Sequence, residues 1–515
     1  MSGDLYSFTR RGFVMGAASG LGSTAAAAQA VMDHLPGRIA PWLGPWDTPA
    51  VVRKVYLADR THNWPSRSLN LEQELRDLDA NISLVETRFP HRIRFEGGEV
   101  FYSDQAEKLK AWAPSTENAD GILAVIATSG IGNLLQAVLA LDKPTLVYER
   151  PYSGHEWAVT SIARQLGKKV DLVASSDFHE LDPFVDAFYA LHHLRNSKLL
   201  VAGRQRRDPG QPSGRPATPA EQQFGNEAYA KKFGTTFAYP SYAEIRSFYD
   251  ANEAEGNKLA DEYIKSAARL VEPPREQVVK AIRLHLAIVE LMRAEKANAI
   301  TFGCIGAPVS GDLPAYPCIS FSLLNDVGLY GCCEGDVPCA MTNILVTGFS
   351  GKPGFVTDPI FDTSHDEVIH AHCSSPTAME GVGRRPFPFS IRSYPYSGET
   401  RAAAIQVHFG GTGPVTVAKF TGPQNMLVST GEVLGNVEID RGCRSKLRTR
   451  VKDSHKLLQN WAMATAVPEQ RPPALLSTLA WATQEQLHRV AFYGDHVAML
   501  ERIGRLAGFR VIRED

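Results

Sequence analysis

Glu334, Asp358 and His488 are two carboxylates and an imidazole, together a hard oxygen/oxygen/nitrogen donor set. Such a set suits Mn²⁺, Mg²⁺ or Fe²⁺ rather than a closed zinc site. Three protein ligands leave coordination positions for two adjacent substrate oxygens. A cation so held polarises a carbonyl and makes the α-proton removable, while a nearby carboxylate moves that proton. Spacing alone does not bring the three together, and each has a plainer role open to it. Glu334 can serve as a negative charge near the N-terminus of a helix at 337–347. His488 can be an ordinary structural histidine. Asp336 reads as an N-cap rather than a ligand, and Asp362 as a surface residue in a polar turn. His372 either points to the site or is a satisfied core histidine. His370 shares its face, and His365 reads as exposed. Cys332 and Cys333 read as small buried residues, not nucleophiles. Glu149, Tyr152 and His155 follow a strand end early in the chain.

The elements that must position these residues follow from periodicity. Residues 330–332 read as a strand end, Pro338 suits the first turn of the helix, and the glycine-rich turn at 351–354 stops that helix. Extended chain restarts at Phe355 and carries Asp358. Upstream, strands at 52–57, 122–127, 144–148 and 170–174 alternate with helices at 71–78, 133–141, 155–166 and 183–196. That alternation predicts a parallel, doubly wound sheet. The Thr128–Gly132 loop is no phosphate-binding motif and reads as a strand–helix turn. A strand at 199–202 precedes a polar segment rich in Pro, Gly and Arg at 203–219, read as a surface loop. Helices at 242–249, 257–270, 275–296 and 319–325 surround a strand at 299–302. Beyond Asp358, strands at 367–372, 389–393, 403–408 and 415–420 with glycine turns, including 429–431, predict a barrel or sandwich. Helices at 452–464 and 496–507 close the chain. The expected fold is α/β: two doubly wound, Rossmann- or flavodoxin-like domains at 51–196 and 197–354, then a β-rich, barrel-like domain at 355–515.

The CEGD turn at 333–336, GKPGFVTD at 351–358 and HAHCSSP at 370–376 resemble the L-fucose isomerase/L-arabinose isomerase superfamily, in its fucose-isomerase-like branch. The likeness runs from about residue 54 onward and is sharp again at LHRVAFYGD (487–495). It implies that Glu334, Asp358 and His488 bind a divalent metal, with Mn²⁺ expected. It also implies that Glu334 and Asp358 form the acid/base pair of an aldose–ketose isomerase working through an enediol. His372, with Glu149 and His155, would then contact a monosaccharide, and a homo-oligomer is expected. Two other readings stay open: a non-catalytic periplasmic carbohydrate-binding protein, and another metal-assisted sugar reaction such as epimerisation.

Composition sets the limits. At 515 residues the chain calls for two or three domains. Apolar content of 44% and a formal charge of −2 point to a globular protein with no sign of a nucleic-acid partner. The seven cysteines show no metal-finger spacing. Near the start, Thr9-Arg10-Arg11-Gly12-Phe13-Val14, a Gly/Ala-rich run and Ala28-Gln29-Ala30 read as a twin-arginine signal over residues 1–30. An exported, periplasmic bacterial protein with no membrane attachment after signal removal is the expectation.

Overall fold

β1 (Ala50–Ala58) opens the first parallel sheet in the computed structural model, which describes residues 48–61, 64–203, 226–464 and 487–515. The twin-arginine run and nearly all of the 203–219 segment lie outside the described residues. By its contacts the chain divides into two compact units, and the first draws on residues 45–196 and 496–511. In it, β1, β2 (Ile93–Tyr102), β3 (Gly121–Ile126), β4 (Thr145–Glu149) and β5 (Val170–Ala174) form one parallel sheet in the order β2-β1-β3-β4-β5. β3 is buried along its whole length, as a central strand covered on both faces must be. Its Ile122, Ala124 and Ile126 share a core with Val55 and Leu57 of β1. Leu134, Leu135 and Val138 of the helix α2 (Gly132–Leu139) complete that core. Gly121 has a packing reason: a Cβ there would lie 2.2 Å from the Phe188 ring of α3 (Asp182–Arg195).

Three features of this unit depart from expectation. The helix starting at Leu71 is longer than predicted and runs Leu71–Arg88 (α1), capped by the Asn70 side chain. β2 had no predicted strand, because its sequence IRFEGGEVFY is polar and interrupted by two glycines. Both glycines adopt positive φ, next to a register break at Lys54/Val55. The helix Val497–Ala507, expected with the C-terminal domain, belongs here instead. Its buried stripe of Val497, Leu500, Ile503 and Leu506 packs on α3, and Arg505 pairs with Asp171 at 2.8 Å. Periodicity shows that such a stripe exists but not which partner covers it.

The second unit holds a four-stranded parallel sheet and a barrel. β6 (Lys198–Ala202), β7 (Thr236–Ala238), β8 (Ala299–Phe302) and β9 (Tyr330–Cys332) pair in the order β9-β8-β6-β7. The helices α4 (Arg275–Ala294) and α5 (Cys318–Asp326) pack together, joined by His285 Nδ1 and Ser320 Oγ at 3.1 Å. α6 (Val337–Ser350), almost wholly buried, then leads from β9 to the barrel.

The barrel is antiparallel, six-stranded and closed. Its strands are β10 (Phe355–Asp362), β11 (Glu367–His372), β12 (Pro414–Phe420), β13 (Asn425–Asn436), β14 (Ser445–Arg450) and β15 (Arg489–Tyr493). β12 pairs with both β13 and β15, which removes free edges. Two expected strands fall elsewhere: Phe389–Ser393 and Ala403–Val407 form a small separate sheet with Arg269–Leu270. The segment 429–431, read as a turn, lies inside β13. Gly431 marks a close approach rather than a turn, since a Cβ there would sit 2.8 Å from the Arg450 carbonyl oxygen.

Candidate metal centre

Glu334 leaves β9 in a one-turn 3₁₀ segment, Cys333–Gly335, with φ of 62°. A left-handed, non-glycine residue costs about 1–2 kcal/mol, so the surroundings must hold it. Its N–H donates to Cys304 Sγ at 3.3 Å, and Gly335 follows with φ of 70°. Asp336 then caps α6 by accepting from Cys339 N at 2.9 Å. Its other oxygen accepts from Lys419 Nζ at 2.7 Å and meets His488 Nδ1 at 3.0 Å. Burial pushes the Asp336 pKa up, but Lys419 and His488 overcome this and hold it far below the carboxylate range. An ionised carboxylate only accepts, so His488 Nδ1 carries a proton here and Nε2 is the nitrogen left to face the site.

That nitrogen faces the candidate acids. His488 Nε2 stands 3.7 Å from Glu334 Oε2 and 3.4 Å from Asp358 Oδ1. His372, the last residue of β11, places Nε2 3.7 Å from Glu334 Oε1. This buried nitrogen makes no hydrogen bond, while Nδ1 of the same ring lies 3.2 Å from Ser374 Oγ. The two imidazoles stand edge to face, 5.7 Å apart. One donor atom each from Glu334, His372 and His488 lies within 4.8 Å of the other two. Ligands in adjacent positions on an octahedral ion with ~2.1 Å bonds are ~3 Å apart, so the separations around His488 Nε2 are near those a shared cation requires. The unsatisfied His372 nitrogen adds to the fit, and these residues could hold a divalent metal. Asp336, Cys339 and His488 also come within that span, but the Lys419 ammonium already occupies Asp336. The first set is the better cation cradle.

Electrostatics favour charge separation across the cradle. Burial raises the Glu334 pKa, but the two histidines outweigh it and leave the carboxyl below its ordinary value. Burial pulls the His372 pKa down, yet facing Glu334 lifts it to about 9. Without a cation, His372 is therefore the positive partner of Glu334. Asp358, expected as a ligand, stands outside that three-residue set, with Oδ1 3.4 Å from His488 Nε2 and a side chain 36% exposed against 13% for Glu334.

The other sequence candidates have these surroundings. His370 is a satisfied core histidine, with Nε2 3.0 Å from Thr449 Oγ1 and its pKa pulled by burial to about 4. Asp362 folds onto Ser364 and the exposed His365 in a local turn. Glu149 and His155 belong to the first unit. There the Glu149 side chain is buried, with Oε2 lacking a hydrogen bond, and the His155 ring lies 5.2 Å from Trp64. Sequence reasoning missed Lys419 altogether. Its signal was a single lysine in a strand whose neighbours, Val415 to Phe420, are all buried. The second task of Asp336, orienting His488, was equally hidden behind its cap role. The chain matches no protein-family model and no curated protein.

Proposed function

We propose that this chain is a metal-dependent aldose–ketose isomerase of the fucose/arabinose isomerase type, using Mn²⁺ and working through an enediol. One observation carries the reading. Four groups that can bind a cation or move a proton, drawn from a turn, two barrel strands and the residue just before a third, converge on one small volume. A bound divalent cation supplies Lewis acidity beside a sugar carbonyl and its neighbouring hydroxyl. The protein's own groups do the rest. Asp336 and Lys419 fix the His488 ring, and His372 and His488 set the charge state of Glu334. Of the two carboxylates, one removes the proton beside the carbonyl and the other returns one to the adjacent carbon. Asp358, the more exposed, is the one an entering sugar meets first.

The β2-β1-β3-β4-β5 order of the first sheet supports a flavodoxin-like first domain, and the sequence resemblance supports a second such domain ahead of the barrel. The same resemblance supports a homo-oligomer, and the twin-arginine run an exported protein. The test is a panel of aldoses with metal-stripped protein in D₂O, with and without added Mn²⁺. Ketose carrying deuterium at the former carbonyl carbon, only with Mn²⁺, is the expected result. Sugar binding without exchange would make the chain a carbohydrate-binding protein, and exchange without ketose another reaction on the same intermediate. Failure to bind Mn²⁺ overturns the metal reading itself.

A further inference from the structure

Lys446, the second residue of β14, is only 5% exposed. Its ammonium nevertheless has no hydrogen-bond or ion-pair partner among the described residues. The acid nearest to it in sequence, Asp440, is already held by Arg392 at 3.2 Å and Arg444 at 2.6 Å. The other two cations on that face of β14 are provided for: Arg448 pairs with Glu367 at 3.7 Å, and Arg450 is exposed. Burial lowers the Lys446 pKa. A buried ammonium without a counter-charge weakens a fold, and stability alone would favour an apolar side chain here.

The sheet register shows where this charge sits. Directly opposite residues on neighbouring strands point to the same face. Lys446 pairs with Ala371 of β11, and Ala371 in turn pairs with Asp358 of β10. One step past the pair Thr357–Arg489, His488 flanks Asp358 from the other side, at 3.4 Å. A single row thus runs His488, Asp358, Ala371, Lys446, from the candidate metal centre along the barrel wall. Two strand spacings, about 10 Å, separate the Asp358 and Lys446 backbones, and Ala371 puts only a methyl group between them.

We propose that Lys446 determines specificity by pairing with a negatively charged group on the terminal carbon of the sugar, so that the substrate is an acidic aldose. The sugar lies along the row, its carbonyl end beside Asp358 and its charged end at the ammonium. The four-carbon lysine stem and the sugar chain bridge the gap together. A neutral aldose leaves the ammonium unpaired, whereas an acidic one brings the counter-charge that the fold withholds. A carboxylate and a phosphate both meet this need. For the carbonyl end the proposal rests on the isomerase reading; the charged end rests on Lys446.

The test is titration calorimetry on the full chain with Mn²⁺, with turnover measured alongside. The ligands are aldohexoses of the gluco, galacto and manno series, the corresponding uronates and the corresponding terminal phosphate esters. At least one acidic sugar should bind about 10–100-fold more tightly than the neutral sugar of the same configuration. Whether uronate or phosphate ester leads identifies the anion. Lys446→Met should erase that preference while the thermal midpoint holds or rises, because an uncompensated buried charge is gone. Lys446→Arg, which keeps the charge, should retain part of the preference and decides the matter if Lys446→Met fails to fold. Equal binding of acidic and neutral sugars overturns the proposal, as does a preference that survives Lys446→Met. Turnover of neutral aldoses with no acidic preference removes this proposal and leaves the isomerase reading standing. Acidic preference without ketose does the reverse.

Discussion

Asp336 serves three partners at once: a helix N-terminus, a buried ammonium and the ring of His488. Asp336→Asn keeps the cap but leaves Lys419, 1% exposed, without its counter-charge. Breaking a buried pair from one side costs about 3–5 kcal/mol, to be read from urea denaturation. Losing the orienting carboxylate should also weaken Mn²⁺ binding about 10–100-fold, measured by titration calorimetry. Adding Lys419→Met to that variant should restore much of the stability and none of the affinity. If both recover together, Asp336 acts on the cation only through packing. Glu334 tests the opposite trade. Glu334→Gly relieves a left-handed backbone, so stability should hold or rise by up to about 1 kcal/mol while Mn²⁺ binding is lost. A large fall in stability would mean that the carboxylate, not the turn, holds this corner together.

Among the elements, β15 sets the histidine by gripping the residue after it. Arg489 and Glu514 are both fully buried and joined at 2.7 Å, and the guanidinium lies 3.9 Å from the Trp461 ring centre. Glu514→Gln should cost about 3–5 kcal/mol by chemical denaturation and shift His488 enough to weaken Mn²⁺ binding. An unchanged midpoint would remove this pair as the anchor of the strand. The elements also show what the sequence could reveal. Turn, cap and helix around 333–350 were legible because Asp336, Pro338 and Gly351 have strong local preferences. Strands with buried apolar runs, such as β3 and β8, were legible for the same kind of reason. β2, β13 and β14 were not, since polar alternation and glycines forced by close approach look like loop until a partner strand is known. His372 stayed ambiguous for a related reason: alternation gives its face but not what stands opposite.

At the scale of the whole molecule, buried histidines tie stability to acidity. Burial lowers the pKa of His193 and His285 to about 3 and that of His370 to about 4. Each is neutral in the folded protein, while in the unfolded chain each takes up a proton near pH 6.5. Below that pH the unfolded state binds more protons, so stability is full above about pH 6.5 and drains away as the pH falls toward 4. Thermal unfolding from pH 7 to pH 4.5 should show a falling midpoint, with a shallower slope for His285→Gln. A flat profile would mean that these rings are already protonated in the fold. The helix Val497–Ala507 bears on a different matter, the order of assembly during synthesis. It completes the hydrophobic interior of a unit whose other strands and helices leave the ribosome some three hundred residues sooner. The earliest-made sheet must therefore wait, partly uncovered, until translation has passed residue 511. Nascent chains stalled before that point are where chaperone dependence and proteolytic sensitivity should concentrate.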